Sequence, residues 1–300
     1  MIKKFEGILP ALVTPLENDN VTVKKDAVKE LVDMHLDQGA NGFYIIGGTG
    51  ESIVLNREQR EAMCEYCVEA VDGRKPIINH IAAVNMPEAI ELAKHAEKVG
   101  CDAIAAIPPV FFKYSEDDLF NYYKKLADSV SIPVMIYYHP AAQSSMTADL
   151  IARIYEIDNV TGVKWSSNNY YEMMKLKDKT HGEMNIINGP DELLVSGLAA
   201  GADAGIGSTY NIMLPEFVKI YNCYKNGNMT EALATQIKVN RVIDLLIKNM
   251  LIPSVKYAVG LMGIDVGNAT FPMKQNELGA NTAFEQALYD LGWTPDGRVL

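Results

Sequence analysis

The feature that most constrains this chain is an alternation of short apolar runs with longer amphipathic ones, repeated eight times between residues 7 and 225. The apolar runs are 7–15, 42–48, 76–83, 103–109, 133–140, 160–167, 184–188 and 204–208. Runs that stay apolar without period-two alternation read as strands covered on both faces, as a parallel sheet requires. The segments 24–38, 57–71, 87–99, 147–157, 170–179, 192–199 and 215–225, and one opened by Ser115 and Asp118, carry helical periodicity. Asn56 with Gln59 three places on has the spacing of a capping box at the start of the second helix. Eight such units spaced by roughly 25 residues fill a (β/α)8 TIM barrel, whose usual length is about 250 residues. A doubly wound open sheet is the other architecture compatible with the alternation.

Residues 226–300 add helical patterns at 229–250, 253–262 and 282–291. They read as a small C-terminal helical appendage packed on the barrel of residues 1–225. No linker, charge block or low-complexity segment separates the two, so a single structural unit is expected.

Charge narrows the partners. With a net charge of -11 and pI near 5.0, the chain has no basic surplus with which to neutralise phosphates, which argues against nucleic acid and anionic membrane. Residues 1–7 meet an acid and a glycine too early for the apolar core of a signal peptide, and no run approaches a membrane span, so a cytoplasmic location is expected. Cys64 and Cys67 form a C-x-x-C inside a helical pattern, where they share one face as small core residues, and Cys101 and Cys223 read as isolated core thiols. The five histidines show no ligand spacing, so no metal is expected.

In a barrel, the chemistry sits at the C-terminal ends of the strands and in the loops that follow. Polar residues gather there: Gly47–Glu51 after strand two, Tyr137 to Pro140 at strand five, Lys164 to Ser166 at strand six, Gly189 to Glu192 at strand seven and Ser208 to Asn211 at strand eight. Lys164 ends an apolar run. Burying an ammonium is costly unless it is paired or loses its proton, so this position suits a Schiff-base amine that attacks a ketone. The same position also suits a lysine whose stem packs and whose head reaches water. The glycine-rich loop offers backbone N–H groups and the Thr49 hydroxyl to an anion, so Gly48 and Thr49 could hold a carboxylate, or the loop could be a plain turn. It fits neither the P-loop nor the dinucleotide-binding pattern.

Gly47-Gly48-Thr49-Gly50-Glu51, Tyr137 before Pro140, Gly162-Val163-Lys164 and Gly205-Ile206-Gly207-Ser208-Thr209-Tyr210-Asn211 resemble the N-acetylneuraminate lyase and dihydrodipicolinate synthase superfamily of pyruvate-dependent class I aldolases. The resemblance runs from Gly7 through the C-terminal helices. It implies a TIM barrel without metal or organic cofactor, acting on a small sugar acid and pyruvate, and a homotetramer. It implies that Lys164 forms the iminium, that Tyr137 moves a proton and orients substrate, and that Thr49 with the Gly48 and Thr49 amides holds the pyruvate carboxylate. Asp191, Glu192, Ser208, Ser166 and the Gly189 carbonyl would bind hydroxyls of the sugar tail. Gly189-Pro190-Asp191-Glu192 together with Ser208–Asn211 resembles the sialic acid lyases. The arginine that the synthase branch usually places shortly after the strand-five tyrosine has no counterpart in Ala141-Ala142-Gln143. A synthase or a 2-keto-3-deoxy sugar acid aldolase is the alternative enzyme, and a non-catalytic sugar-acid sensor the alternative without chemistry. Three positions depart from the family pattern: Gly48 stands for a serine or threonine, Phe111 for a tyrosine, and Tyr138 for an asparagine.

Overall fold

The computed structural model describes residues 4–143, 145–274 and 279–300. Met1, Ile2 and Lys3, part of the N-terminal stretch read above, lie outside them. Each apolar run contains one strand: β1 (Gly7–Pro10), β2 (Phe43–Ile45), β3 (Ile77–His80), β4 (Ala103–Ala106), β5 (Val134–Tyr138), β6 (Val160–Trp165), β7 (Asn185–Asn188) and β8 (Ala204–Gly207). The strands are shorter than the runs because the last residues of several runs leave the ladder and form the rim. Between them lie α1 (Lys25–Asp37), α2 (Arg57–Val71), α3 (Met86–Val99), α4 (Glu116–Ala127), α5 (Ala148–Tyr155), α6 (Tyr170–Lys179) and α7 (Leu194–Ala199), with α8 (Tyr210–Lys225) after the last strand.

All pairings are parallel. From β2 to β8 each strand pairs with the next, and β8 pairs with β1. A parallel bridge between Ala11 and Tyr44, with Leu12 N–H donating to the Tyr44 carbonyl at 2.9 Å, brings β1 to β2 and closes the circle. That closure decides for a barrel over the open sheet.

Alternation along the strands sorts the side chains into two cores. Leu9, Ala11, Tyr44, Ile78, Ala103, Ala105, Met135, Ile187, Ala204 and Ile206 fill the barrel interior. Ile8, Ile45, Ile104, Ile136, Val163, Trp165 and Ile186 point outward into the layer beneath the helices. A fully buried Ile or Leu in either layer contributes about 1.5–3 kcal/mol. Gly162 occupies an inward position, where an added Cβ would stand 2.4 Å from the Asn185 carbonyl oxygen and 2.9 Å from Met135 Cε. The barrel is filled there, and the next inward residue of β6, Lys164, lies at the mouth.

Local signals hold where they were read. Gln59 N–H donates to Asn56 Oδ1 at 2.8 Å and Asn56 N–H to Gln59 Oε1 at 2.9 Å, the reciprocal capping box of α2. The eighth helix begins at Tyr210, ahead of the expected 215, and kinks at Met213 (φ -142°). Pro215 falls in the first turn after the kink, where its missing N–H costs nothing. The appendage consists of α9 (Met229–Lys248), α10 (Leu251–Leu261) and α11 (Thr282–Asp290). Met250, at φ 67°, breaks the run between the first two. Cys64 and Cys67 are buried on α2 as expected, but Cys101 is not isolated, because its sulfur lies 3.5 Å from that of Cys64.

Among the described residues no helix is long and apolar enough to cross a membrane, and no group of three His, Cys, Asp or Glu side chains could hold a metal.

Candidate active site

Register places Lys164 beside Tyr137 on β5 and Ile187 on β7, so its side chain enters the barrel mouth. The residue is 6% exposed. No ion pair links it to a carboxylate of the described residues. Its Nζ instead lies 4.1 Å from the centre of the Tyr137 ring and 4.6 Å from that of Tyr44. The amine thus meets two aromatic faces and the open cleft, with no counter-ion among the described residues.

The cleft has a volume of about 340 Å³ and is lined by Gly48, Thr49, Tyr137, Lys164, Ser166, Gly189, Glu192 and Ser208. His139, Pro190, Ile206 and Gly207 complete its barrel wall, and Leu251 and Ile252 reach over it from α10. Eight of the nine expected site residues therefore meet in one place. Thr49 Oγ1 and Ser208 Oγ stand 2.7 Å apart, joining the loop after β2 to the end of β8. Gly189 is needed where it is: a Cβ would collide with Ser166 Oγ at 2.1 Å.

Asp191 is the ninth; it is absent from the cleft lining, and one oxygen of its carboxylate is held by Thr209. It is 7% exposed, and its Oδ2 accepts from the Thr209 N–H and the Thr209 hydroxyl, each at 2.7 Å. Burial pushes this carboxyl up to about 7, against the pull of the Thr209 donors and of Lys164. Its role here is to hold the β8 end, while Glu192 stays exposed at the rim. Helix α9 supports the same turn from behind: Gln236 donates to the Asp191 carbonyl at 3.1 Å and Asn240 to the Glu192 carbonyl at 3.0 Å.

Two of the three departures face elsewhere. Tyr138 points outward and packs against Trp165, with ring centres 4.4 Å apart, so it does not replace an asparagine in the cleft. Phe111 is 92% exposed at φ 81° and lies outside the cleft lining, as does Tyr114. Gly48 does line the cleft, and a Cβ there would meet nothing within 4 Å.

Sequence reasoning missed two residues under the site. Tyr44 is 1% exposed, with a buried hydroxyl that lacks a partner among the described residues, and burial raises its phenol well above the usual value. His80, from β3, packs edge-on against Tyr137 with ring centres 5.8 Å apart. Its Nε2 accepts from the Ile107 N–H at 3.3 Å, so the proton sits on Nδ1 and is given to the Ile46 carbonyl at 3.1 Å. Desolvation first, then the charges of Arg60 and Lys164, push this imidazole down to about 3, which keeps it neutral. Period-two alternation through Phe43–Ile45 was the available signal for Tyr44. His80 had none beyond its strand-end position.

Residues 4–291 match the model of the dihydrodipicolinate synthetase family. The chain belongs to that family. It is 32% identical over 285 residues to an N-acetylneuraminate lyase of Rhizobium meliloti, a match covering 95% of each chain. The crystal structure of the Proteus mirabilis N-acetylneuraminate lyase superposes with a TM-score of 0.92 at 28% identity, covering 97% of this chain and 100% of that one. A dihydrodipicolinate synthase from Acinetobacter baumannii, solved in complex with pyruvate, superposes with a TM-score of 0.89 at 27% identity over 97% and 100% of the two chains. Both branches thus share this fold, and the cleft has to distinguish them.

Proposed function

We propose that this protein is a class I aldolase that cleaves N-acetylneuraminate or a related sialic acid to pyruvate and an N-acetylmannosamine-type sugar. The observation that carries the reading is the placement of Lys164: a buried amine without a counter-ion, between the Thr49–Ser208 pair on one side and Tyr137 on the other. A 2-keto acid whose carboxylate lies on the Gly48 and Thr49 amides and the Thr49 hydroxyl presents its ketone to that amine.

The chemistry then follows in balanced steps. The Lys164 amine adds to C2, and loss of water gives an iminium that withdraws electrons from C3. A base removes the proton of the C4 hydroxyl, the C3–C4 bond breaks, the aldehyde leaves, and its bonding pair stays on the enzyme-bound enamine. Protonation at C3 and hydrolysis release pyruvate and return the free amine. The centre of the Tyr137 ring lies 4.1 Å from the Lys164 nitrogen, Tyr137 lines the same cleft, and its phenol is the group assigned to orient substrate and move a proton. The iminium is itself the electron sink.

The tail wall supports the lyase reading over the synthase one. Among the described residues no arginine lines the cleft, and Lys164 is its only lysine. The Glu192 carboxylate accepts from sugar hydroxyls and is poorly suited to a second carboxylate, while the Ser208 hydroxyl can donate or accept. A 2-keto-3-deoxy sugar acid aldolase would use the same apparatus on a shorter tail. Incubation with N-acetylneuraminate should release pyruvate, detected by coupled reduction, together with an N-acetylated hexosamine seen by NMR. Consumption of an added semialdehyde with pyruvate, and no cleavage of the sialic acid, would contradict the lyase reading.

A further inference from the structure

The loop that grips the carboxylate is held in a conformation its residues resist. Ile46 (φ 57°) and Glu51 (φ 63°) flank Gly47, Gly48, Thr49 and Gly50, and both adopt the left-handed region. A β-branched residue there is a genuine outlier, and such geometry persists only where the surroundings over-determine it.

The restraints come from three directions. The Ile46 carbonyl takes the Nδ1 proton of His80 at 3.1 Å, and the Gly50 carbonyl takes the Thr14 hydroxyl at 2.8 Å. The third comes from the appendage. Lys256 of α10 reaches into the barrel rim, where its Nζ lies 2.7 Å from Glu51 Oε1, with both side chains 1% exposed. The same ammonium donates to the Asn268 carbonyl at 2.8 Å. Glu51 Oε2 accepts from the Thr270 N–H at 2.6 Å and from the Thr270 hydroxyl at 2.7 Å.

A fully buried ion pair is a poor source of stability, since well-packed apolar residues of similar volume often serve as well or better. What it does supply is direction. Glu51 Oε2 is committed to the two Thr270 donors, Oε1 faces the Lys256 ammonium as an ion pair, and Glu51 is only two residues from Thr49. We infer that Lys256, Glu51 and Thr270 are positioning residues through which the C-terminal appendage sets the Gly48–Thr49 grip on the substrate carboxylate. This rests on the aldolase reading above, with Gly48 and Thr49 as the carboxylate site. The appendage is thereby part of the substrate-binding apparatus, although its Lys256 touches no substrate.

The test uses the full-length protein and borohydride labelling of Lys164, read by intact mass as a function of ketone concentration. Pyruvate carries the carboxylate, whereas hydroxyacetone offers the same amine a ketone without one. In Lys256→Met the half-saturating pyruvate concentration should rise about tenfold, with the maximal labelling rate little changed, as expected for a loss of uniform binding. In Thr270→Val it should rise about threefold, because one of the two Thr270 donors remains. Labelling by hydroxyacetone should match wild type in both. A merely structural role would lower the melting temperature and leave the pyruvate half-saturation of the folded fraction unmoved, which overturns the inference. Equal loss with both ketones also overturns it, because the barrel rather than the grip would have been disturbed. If Lys256→Met does not fold, Thr270→Val and Glu51→Gln decide, and wild-type half-saturation in both counts against the inference. Failure of pyruvate to label the wild-type protein contradicts the aldolase reading itself, an outcome distinct from these.

Discussion

The two walls of the cleft are built on different terms. On the β2 side the loop from Ile46 to Glu51 is strained, buried except at Gly48, and fixed at both ends, by His80 at one and by Lys256 with Thr270 at the other. On the β7–β8 side Asp191 is locked beneath the surface by Thr209, but the next residue, Glu192, projects into the rim with its carbonyl held by Asn240. Under the proposed function the first wall would face what every 2-keto acid shares, a carboxylate beside a ketone, and the second would face the tail, in which such substrates differ. Rigidity would then be concentrated where geometry sets the rate, and latitude left where specificity is decided.

The comparison can be broken most severely at the amine between the walls. Lys164→Ala should lower cleavage by at least about 10⁴-fold and abolish borohydride labelling, since no other residue supplies the electron sink. Full turnover by that variant would sink the account. Tyr137→Phe should lower kcat by roughly 10²- to 10³-fold while pyruvate still labels Lys164 slowly, the expected loss for a proton-transfer group. Glu192→Gln separates the walls. It should lower kcat/KM for the sugar acid by about 10-fold, the value of one charged hydrogen bond, and leave pyruvate labelling at wild-type level.

Asp191 gives a pH signature of the locked part of the second wall. Its carboxyl is raised from 3.8 to about 7, so between those values the folded protein holds a proton that the unfolded chain has released. Stability from this group is therefore fullest below about pH 4 and declines as pH rises toward 7. Asp191→Asn lacks that decline, so the melting temperature of wild type relative to the variant should fall steadily over this range. A constant difference would contradict the assigned burial. The smallest effect belongs to Gly48→Ser. A Cβ there meets nothing within 4 Å, so stability should stay within about 0.5 kcal/mol while pyruvate half-saturation falls a few-fold through the added hydroxyl donor.

Much of this was legible in the sequence because the underlying physics is local. Continuous apolar runs marked the eight strands, Asn56 and Gln59 marked a helix start, and strand ends marked the polar stretches, within which the family resemblance picked out Gly48, Thr49, Tyr137, Lys164, Ser166, Gly189, Glu192 and Ser208. What stayed hidden depends on orientation or on distant partners. Tyr138 was read as a change at the site, yet strand alternation turns it outward onto Trp165. Asp191 was read as a sugar ligand, and its Oδ2 is already engaged by Thr209, outside the cleft lining. The partnership of Glu51 with Lys256 joins the loop after β2 to a helix beyond the barrel, and neither segment alone carries a sign of it.

The central claim is that Lys164 forms an iminium with a sugar acid and keeps the pyruvate half after cleavage. The most direct measurement is intact mass and peptide mapping after borohydride reduction with N-acetylneuraminate as the only keto acid present. The account predicts a pyruvate-sized adduct on the peptide bearing Lys164. No adduct with the sugar acid, in a protein that pyruvate does label there, would refute the substrate, and no label at Lys164 from either compound would refute the chemistry.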